Sequence, residues 1–213
     1  MTNFIPIFPL ALVVYPGEEL NLHIFEPRYR QLIQDCMAAG KPFGIPAVVQ
    51  NRLQELGTLV EVTELSKVYE DGKMDIRTRG IRVFRMLELI KEVPDKLYSG
   101  AIVTYPDDVR DGSPEPMQQL LQGMRQLHRQ LQVAKQFRKA DPDLQAFDIA
   151  HHMGLSLEEE YELLGLFREA QRQEYLKRHL SKALPLLAEL ELLKEKVRLN
   201  GHFKNLDSFK FDM

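Results

Sequence analysis

The sequence predicts an α+β protein in which a small β-barrel with one helix precedes a helical bundle. Through most of residues 1–106, apolar residues alternate with polar ones, which is the period of a strand. From residue 117 to about residue 200 the apolar residues recur about every 3.6 positions, which is typical of helices, and residues 201–213 form a tail without a helical stripe. Residues 107–116 are polar and rich in Asp, Pro and Gly, so they predict a linker between the two parts.

The composition is that of a folded, water-soluble protein. Of 213 residues, 44% are hydrophobic and 28% are charged, which excludes a disordered or collagen-like chain. Cys36 is the one cysteine, so an internal disulfide is excluded. The sequence shows neither a signal-peptide pattern nor the roughly 20 consecutive apolar residues of a membrane helix. We therefore expect a cytoplasmic protein without a membrane partner.

The first segments of the barrel are predicted from prolines and alternation. Residues 4–10 are apolar and β-branched, but Pro6 and Pro9 lack the N–H group that a central strand needs, so they predict an edge strand. Tyr15-Pro16-Gly17 predicts a turn. Residues 20–25 then alternate as a strand with one strongly apolar face.

One helix within the barrel has clear start and stop signals. Pro27 suits the first helical turn because its missing N–H costs nothing there, and Glu26 complements the helix dipole. Gly40 predicts the end of the helix, with Pro42 just beyond it. The apolar residues between them follow the spacing of one buried stripe, which comprises Tyr29, Leu32, Ile33, Cys36 and Met37.

The remaining barrel strands are predicted from β-branched and alternating runs. Asp71-Gly72 is a strong signal for a two-residue type I′ hairpin turn, since both central positions of that turn require positive φ. Six or so strands with short connections favour a small barrel. The further strands are expected at residues 57–65, 67–70, 74–79, 81–90 and 98–105.

Four helices with short loops predict a bundle in the second half. Ser156 and Glu159 have the spacing of a capping box, so they open the third helix. Pro185 predicts a kink or a new start within the last helix, and Asn200-Gly201 predicts its end. Three phenylalanines follow in residues 201–213, so we expect this tail to fold back onto the body. The first two helices are expected from Met117 to Asp141-Pro142 and from Leu144 to Gly154.

No catalytic or cofactor motif is present in the sequence. A phosphate-binding loop, a dinucleotide fingerprint, a G-x-S-x-G elbow and an H-E-x-x-H helix are all missing. Cys36 falls within the buried helix stripe, which favours a packed thiol over a nucleophile served by His23. His151 and His152 are adjacent on a helix and point about 100° apart, so they cannot share a metal ion. We predict neither catalysis, nor a metal, nor a cofactor.

The charge distribution argues against nucleic acid as a partner. The net charge is −3, and neither half is basic. Residues 149–156, followed by an amphipathic segment, resemble a helix-turn-helix, in which Gly154 would form the turn. The would-be recognition helix opens with Glu158, Glu159 and Glu160, which would face the phosphates, so an αα-hairpin is the favoured interpretation.

An ordered series of short motifs in the first half resembles the N-terminal, substrate-binding domain of ATP-dependent Lon proteases. The opening motif covers residues 8–10, 13–17 and 20–29, and the later strands match at residues 43–44, 57–62 and 80–85. In the second half, residues 141–150 and 155–164 match more loosely, so the resemblance spans roughly residues 4–199. The signature residues, for which structural roles are expected, are Pro9, Pro16, Gly17, Phe25, Glu26, Pro27, Arg28, Tyr29, Gly57 and Gly80.

The resemblance implies a PUA-like β pseudobarrel followed by a helical bundle, in agreement with the periodicity. It also implies a non-catalytic module that recognises unfolded or tagged polypeptides, in company with a separate protease or chaperone. Lon proteases continue into ATPase and peptidase modules, whose motifs this sequence lacks, so we expect a stand-alone form. The alternative is a small-ligand or RNA-binding module, because relatives of the PUA-like barrel include RNA modifiers.

Candidate contacts for a bound peptide are few. An apolar groove or an open strand edge would bind an extended segment, and the proline-interrupted region at residues 4–12 is the nominated edge. Phe8, Leu12 and Tyr15 are the candidate contact residues. For Arg28 we expect an ion pair with Glu26 or with an acid across the barrel.

Overall fold

The computed structural model describes residues 3–134 and 137–202, with side chains up to residue 198. It is an α+β structure with a six-stranded antiparallel sheet and five α-helices, as the sequence predicts. The strands are β1 (Asn3–Pro6), β2 (Glu19–Ile24), β3 (Phe43–Val49), β4 (Arg52–Val68), β5 (Met74–Ile90) and β6 (Gly100–Thr104). The helices are α1 (Pro27–Ala39), α2 (Pro114–Gln130), α3 (Ala146–Ile149), α4 (Leu157–Leu164) and α5 (Glu169–His202).

The sheet closes on itself into a pseudobarrel. Its strand order is β1-β6-β5-β4-β3, and β2 pairs with the first part of β5. After β1 the chain continues alongside β3 in parallel, with bridges from Ile7 to Gly44 and from Leu10 to Ala47. The region that the prolines mark as an edge is therefore paired in turn with β6 and β3. Pro6 lies at the change of partner, and Pro9 lies between the two bridges to β3.

Helix α1 has the predicted bounds. It begins at Pro27, and Gly40 ends it in the left-handed conformation with φ of 60°. Its buried face consists of Tyr29, Leu32, Ile33 and Cys36, and it packs against the barrel strands. Met37, the last member of the predicted stripe, is 41% exposed because it lies in the final turn, beyond the edge of that core.

Two features of the sheet differ from the prediction. Strand β3 was not among the strands predicted from alternation, although the family resemblance includes residues 43–44. It is buried on both faces and so shows no alternation, and Pro46 interrupts it. The predicted strands at 57–65 and 67–70 are one strand, as are those at 74–79 and 81–90. The register between these two long strands shifts at several places. Each shift is a β-bulge or irregularity that does not end the pairing.

The predicted type I′ turn at Asp71-Gly72 is wrong. The connection between β4 and β5 spans residues 69–73, and Gly72 alone has positive φ there. The Asp71 carboxylate accepts the N–H of Lys73 at 3.1 Å, and the N–H of Tyr69 donates to the Lys73 carbonyl at 2.8 Å. This local hydrogen bonding favours a longer loop over a two-residue turn.

The helical half is built from two long helices and several short ones. Helices α2 and α5 pack against each other, and α2 ends at Gln130, before the predicted stop at Asp141. The predicted second helix is broken into α3 and a 3₁₀ turn at residues 150–152. Helix α4 opens with the predicted capping box between Ser156 and Glu159.

Helix α5 is longer than the sequence indicates. It is one 34-residue helix that includes Pro185, where a kink or new start was predicted, and it continues through the predicted stop at Asn200-Gly201. Strong helix formers, mainly Leu, Ala, Glu and Lys, flank the proline on both sides. The tail expected to fold back begins at residue 201, but residues 201 and 202 belong to α5, and residues 203–213 lie outside the described residues.

One of three hydrophobic clusters among the described residues spans the barrel and the helical half. Barrel residues such as Val13, Tyr15 and Leu56 belong to the same buried cluster as α2, α4 and α5. The segment predicted as a linker is tied down at several points and becomes helical at Pro114. Asp111 accepts hydrogen bonds from Arg168 and from the N–H of Ala170, at 2.8 and 3.1 Å.

Candidate functional site

A groove of about 490 Å³ lies between the barrel and the helical half. Its barrel side is formed by the segment between β1 and β2 and by the start of β2. Its helical side is formed by α3, the following 3₁₀ turn and α4. The groove is lined by Leu12, Val13, Pro16, Glu18, Glu19, Leu20, Phe147, Asp148, His151, His152 and Glu160.

The barrel wall of the groove is held by backbone hydrogen bonds to the sheet. The Gly17 N–H donates to the Gly80 carbonyl, and the Gly80 N–H donates to the Glu18 carbonyl, both at 2.9 Å. The buried hydroxyl of Thr58 donates to the carbonyl of Val14. A Cβ on Gly80 would overlap the carbonyl of Tyr15, so only glycine allows this close approach. The wall is therefore rigidly positioned.

Tyr15 forms the interior of this wall. Its side chain is 0% exposed. The ring stacks on Phe147 with centroids 4.8 Å apart and contacts the tilted ring of His151 at 4.7 Å between centroids. Its hydroxyl donates to the carbonyl of Glu160 at 3.1 Å, and its N–H donates to the Glu18 carboxylate at 2.8 Å. Burial strongly raises the pKa of the Tyr15 hydroxyl. Tyr15 thus joins the barrel to α3 and α4.

His151 joins the same elements through charge. Its Nδ1 lies 2.7 Å from a Glu160 carboxylate oxygen, and its Nε2 lies 3.1 Å from a Glu18 carboxylate oxygen. Burial of the ring opposes protonation, but the hydrogen bonds to Glu160 and Glu18 outweigh that cost and raise the pKa of His151 to about 9. At neutral pH the ring is therefore an imidazolium between two carboxylates.

The outer part of the groove is acidic, and cations of the chain cover it only loosely. Arg138 pairs with Glu19 at 2.6 Å, but both side chains are mostly exposed, at 87% and 63%. Lys139 pairs with Asp148 at 2.6 Å. Because the Arg138–Glu19 pair is exposed, it contributes little stability, and another cation can replace Arg138 at small cost.

An open strand edge adjoins the groove. Within the described part of the chain, β2 pairs with β5 alone, and no other strand lies along its second edge. Glu19 and Leu20, the first residues of β2, also line the groove. A segment lying in the groove can therefore continue along β2 and hydrogen-bond to its free backbone groups.

The structure places the three candidate contact residues differently. Leu12 is partly exposed and lines the groove. Phe8 is 7% exposed and stacks on Tyr29 with ring centroids 4.0 Å apart, so its ring belongs to the barrel core. Tyr15 belongs to the shared core described above. Leu12 alone of the three offers apolar surface to a ligand in this conformation.

A comparison with protein families gives a match over residues 5–182 to the substrate-binding domain of ATP-dependent protease La (LON). The match covers most of the chain, including both walls of the groove. The chain belongs to the LON substrate-binding domain family. In this family the domain is the substrate-binding rather than the catalytic part, which agrees with the missing catalytic motifs.

Solved structures show the same LON fold. A crystal structure of a Lon N-terminal domain protein from Xanthomonas campestris is 26% identical, with a TM-score of 0.62 over 83% of this chain and 98% of that chain. The N-terminal domain of Mycobacterium avium complex Lon protease is 16% identical and has the same TM-score of 0.62. It covers 85% of this chain and 100% of that chain.

Most LON signature residues have visible structural roles. Pro16 and Gly17 form the turn that positions the groove wall, and Gly17 has φ of 86°. A Cβ on Gly57 would overlap the carbonyl of Ile45, so β3 and β4 approach closely there. Pro9 lies in the segment that runs along β3.

The residues at the start of α1 include one exposed aromatic ring. Arg28 pairs with the Glu26 carboxylate at 2.8 Å, and its guanidinium lies 4.5 Å from the ring centroid of Tyr29. Pro27 is the first residue of the helix. Phe25 is 57% exposed, and its nearest aromatic contact is His23, at 6.2 Å between centroids.

The reactive side chains that the sequence singled out are not arranged for catalysis. Cys36 is buried, and burial raises the pKa of its thiol to about 11, so the reactive thiolate is suppressed. His23 pairs instead with Asp75 at 2.6 Å. Among the described residues, no group of three or more His, Cys, Asp or Glu side chains could hold a metal ion. In the same part of the chain, no helix has the length and apolarity to cross a membrane.

A second cavity of about 470 Å³ lies within the helical half, between α2, α5 and the residues before α3. Its buried polar side chains already have partners. Gln173 accepts the N–H of Ser113 at 3.0 Å, and Glu169 accepts the N–H of Ala146 at 2.7 Å. Unlike the groove, this cavity is lined by no strand residue of the described part of the chain.

Proposed function

We propose that this chain is a non-catalytic polypeptide-binding module that holds an extended segment in the groove and along β2. The observation that carries the proposal is that the groove adjoins an open strand edge. Family membership supports the same role, since the LON domain is the substrate-binding part. The ligand is an unfolded or tagged polypeptide, because only an extended chain can use both features.

Backbone pairing along β2 provides affinity that does not depend on the ligand's sequence. An added strand hydrogen-bonds through its main chain, while alternate side chains enter neighbouring pockets. The apolar groove residues Leu12, Pro16 and Leu20 provide such a pocket. This combination suits a module that recognises many unfolded chains by their exposed apolar residues.

The acidic rim selects among these chains. Glu18, Glu19, Asp148 and Glu160 all line the groove. A lysine or arginine of the ligand can replace Arg138 at Glu19, since that pair is exposed. We therefore expect apolar segments flanked by basic residues to bind better than the same segments flanked by acidic residues.

The module itself has no part in cleavage. A bound polypeptide would be passed to a separate protease or chaperone. The alternative, a PUA-like module for RNA or a small ligand, has little support, because the net charge of −3 and the acidic groove disfavour phosphate.

Fluorescence anisotropy tests the proposal directly. A labelled peptide of roughly 20 residues, with an apolar centre and lysine flanks, is titrated with the full chain. We expect saturable binding in the micromolar range, weaker binding of the matched peptide with glutamate flanks, and no competition by RNA. Unchanged anisotropy up to high micromolar concentrations of folded protein would exclude the proposed role.

A further inference from the structure

The second half of α5 presents an apolar stripe that the rest of the described chain does not cover. Every residue from 188 to 198 is exposed. Five large apolar residues on this part each have more than half of their surface exposed. Four of them lie on one face of the helix, namely Leu186, Leu190, Leu193 and Val197, and Leu192 lies off that face. An exposed stripe of this size marks an interaction surface.

The spacing of these residues is that of a coiled coil. They follow one another at intervals of four, three and four residues, so they occupy alternating d and a positions of a heptad. Leu186 and Leu193 are at d, and Leu190 and Val197 are at a. Leucine at both d positions, with the β-branched Val197 at one of the two a positions, favours a two-stranded parallel assembly.

The charges beside the stripe complement a second copy of the same helix. Glu189 is at a g position and Lys194 is at the following e position. When two copies align in parallel, Glu189 of each copy faces Lys194 of the other, which gives two attractive pairs across the symmetry axis. The helix is therefore complementary to itself in charge as well as in the spacing of its apolar residues.

The stability of the second half of α5 also favours a partner that packs against it. An isolated helical segment of about 12–15 residues is marginal in water, and in proteins most helix stability comes from packing of the apolar face. Within the described residues, the part of α5 after Leu187 has no such packing. The matched family region ends at residue 182, before this stripe begins.

We propose that α5 forms a parallel two-stranded coiled coil with a second copy of this chain through the seam of Leu186, Leu190, Leu193 and Val197. The chain is then a dimer in solution, with the two barrels at the same end of the coiled coil. The proposal is independent of the polypeptide-binding role, because the seam and the groove share no residue.

Sedimentation velocity on the full chain tests the assembly. We expect twice the chain mass of 24.7 kDa at concentrations near 100 μM and dissociation on dilution, since the seam from Leu186 to Val197 is shorter than two full heptads. The variant Leu190→Glu should be monomeric at the same concentration. Wild-type protein that stays monomeric would overturn the proposal, as would a Leu190→Glu variant that stays dimeric.

Charge reversal tests the partner and the orientation. Glu189→Lys places two lysines opposite each other, and Lys194→Glu places two glutamates opposite each other, so each variant alone should dimerise roughly tenfold more weakly. An equimolar mixture of the two restores opposite charges and should form a heterodimer. The control Glu195→Lys reverses a charge at the outward f position and should dimerise like wild type.

The mixture distinguishes pairing across the seam from a loss of folding or a change in overall charge. These side chains are exposed in the single chain, so the variants should keep the wild-type circular dichroism spectrum and thermal unfolding of the barrel. A mixture no more dimeric than either variant alone would overturn the parallel seam. Equal weakening by Glu195→Lys would overturn it too, because overall charge and not the seam would then control association.

Discussion

The Nε2 atom of His151 lies 3.1 Å from the carboxylate of Glu18, although 133 positions separate the two residues in sequence. The other ring nitrogen faces Glu160 at 2.7 Å. One imidazolium therefore links the groove's barrel wall to the start of α4. This contact, together with the stacking of Tyr15, holds the two sides of the groove in a fixed relation.

Replacing His151 by Gln should destabilise the protein in a pH-dependent way. The pKa of His151, about 9 in the folded protein, exceeds the ordinary value of 6.5. The stabilisation that the charged His151 ring provides is therefore fully present below pH 6.5 and is lost as the pH rises through 9. We expect the free energy of unfolding to fall by about 1–2 kcal/mol at pH 7. At pH 10 wild type and variant should differ little. Urea denaturation at the two pH values measures this.

A matched histidine serves as the control. His23 pairs with Asp75, but both side chains are exposed, at 50% and 36%. The substitution His23→Gln should therefore change the free energy of unfolding by less than about 1 kcal/mol at either pH. An effect of His151→Gln that is as large at pH 10 as at pH 7 would contradict the charged bridge.

Replacing the buried Arg172 should destabilise the helical half strongly. Its side chain is 1% exposed, pairs with Glu169 at 2.8 Å and Asp108 at 2.7 Å, and lies 4.2 Å from the ring centroid of Phe147. Arg172→Met leaves the buried carboxylate of Glu169 without its cation, which costs about 3–5 kcal/mol. Arg172→Lys should recover only part of the lost free energy of unfolding, because the ammonium group of lysine lacks the planar guanidinium geometry that pairs with two carboxylates. Thermal and urea unfolding measure both variants.

Two signature glycines should not tolerate a methyl group. At Gly57 and Gly80 an added Cβ would overlap backbone atoms of the neighbouring segments, which cannot move independently of the sheet. We expect Gly57→Ala and Gly80→Ala each to lower the free energy of unfolding by about 2 kcal/mol or more.

The matched control is Gly123→Ala in α2. An added Cβ there meets the end of the flexible Leu180 side chain at 2.7 Å, and alanine favours the helix. The variant should stay within about 1 kcal/mol of wild type. Urea unfolding measures all three variants. Equal destabilisation at Gly57, Gly80 and Gly123 would contradict the explanation that Gly57 and Gly80 are required because other backbone segments lie close to them.

Shortening the apolar groove residues should weaken peptide binding without unfolding the protein. Leu12→Ala and Leu20→Ala each remove partly exposed surface from the groove, so we expect about a threefold to tenfold rise in Kd for the labelled peptide. Leu97→Ala removes a leucine that is 65% exposed and lies outside the groove lining, and it should bind like wild type. An equal effect of all three variants would place the binding surface elsewhere.

The parts of the fold that sequence predicts best have local chemical signals at their ends. Pro27 and Gly40 define α1, and the Ser156–Glu159 capping box defines the start of α4, because each signal satisfies backbone groups within a few residues. Strand β3 shows no such signal, since burial on both faces removes its alternation. Its position depends on pairing with β4 and with the segment after β1.

The groove was harder to predict because its two walls are distant in sequence. The barrel wall near Leu12 and Tyr15 was nominated, but the helical wall, with Phe147, His151 and Glu160, was not. In their local sequence His151 is an ordinary helical histidine and Glu160 an acid in the first turn of a helix. Only the fold brings them to Glu18. Arg172 gave no signal either, because an arginine in a helix is usually exposed.

Hydrogen–deuterium exchange with and without the lysine-flanked peptide tests the central claim most directly. Polypeptide binding in the groove and along β2 predicts slower exchange at residues 12–24, while residues 117–125, beside the second cavity, stay unchanged. Protection at residues 117–125 alone, or no protection at peptide concentrations that saturate the anisotropy signal, would contradict the proposed site.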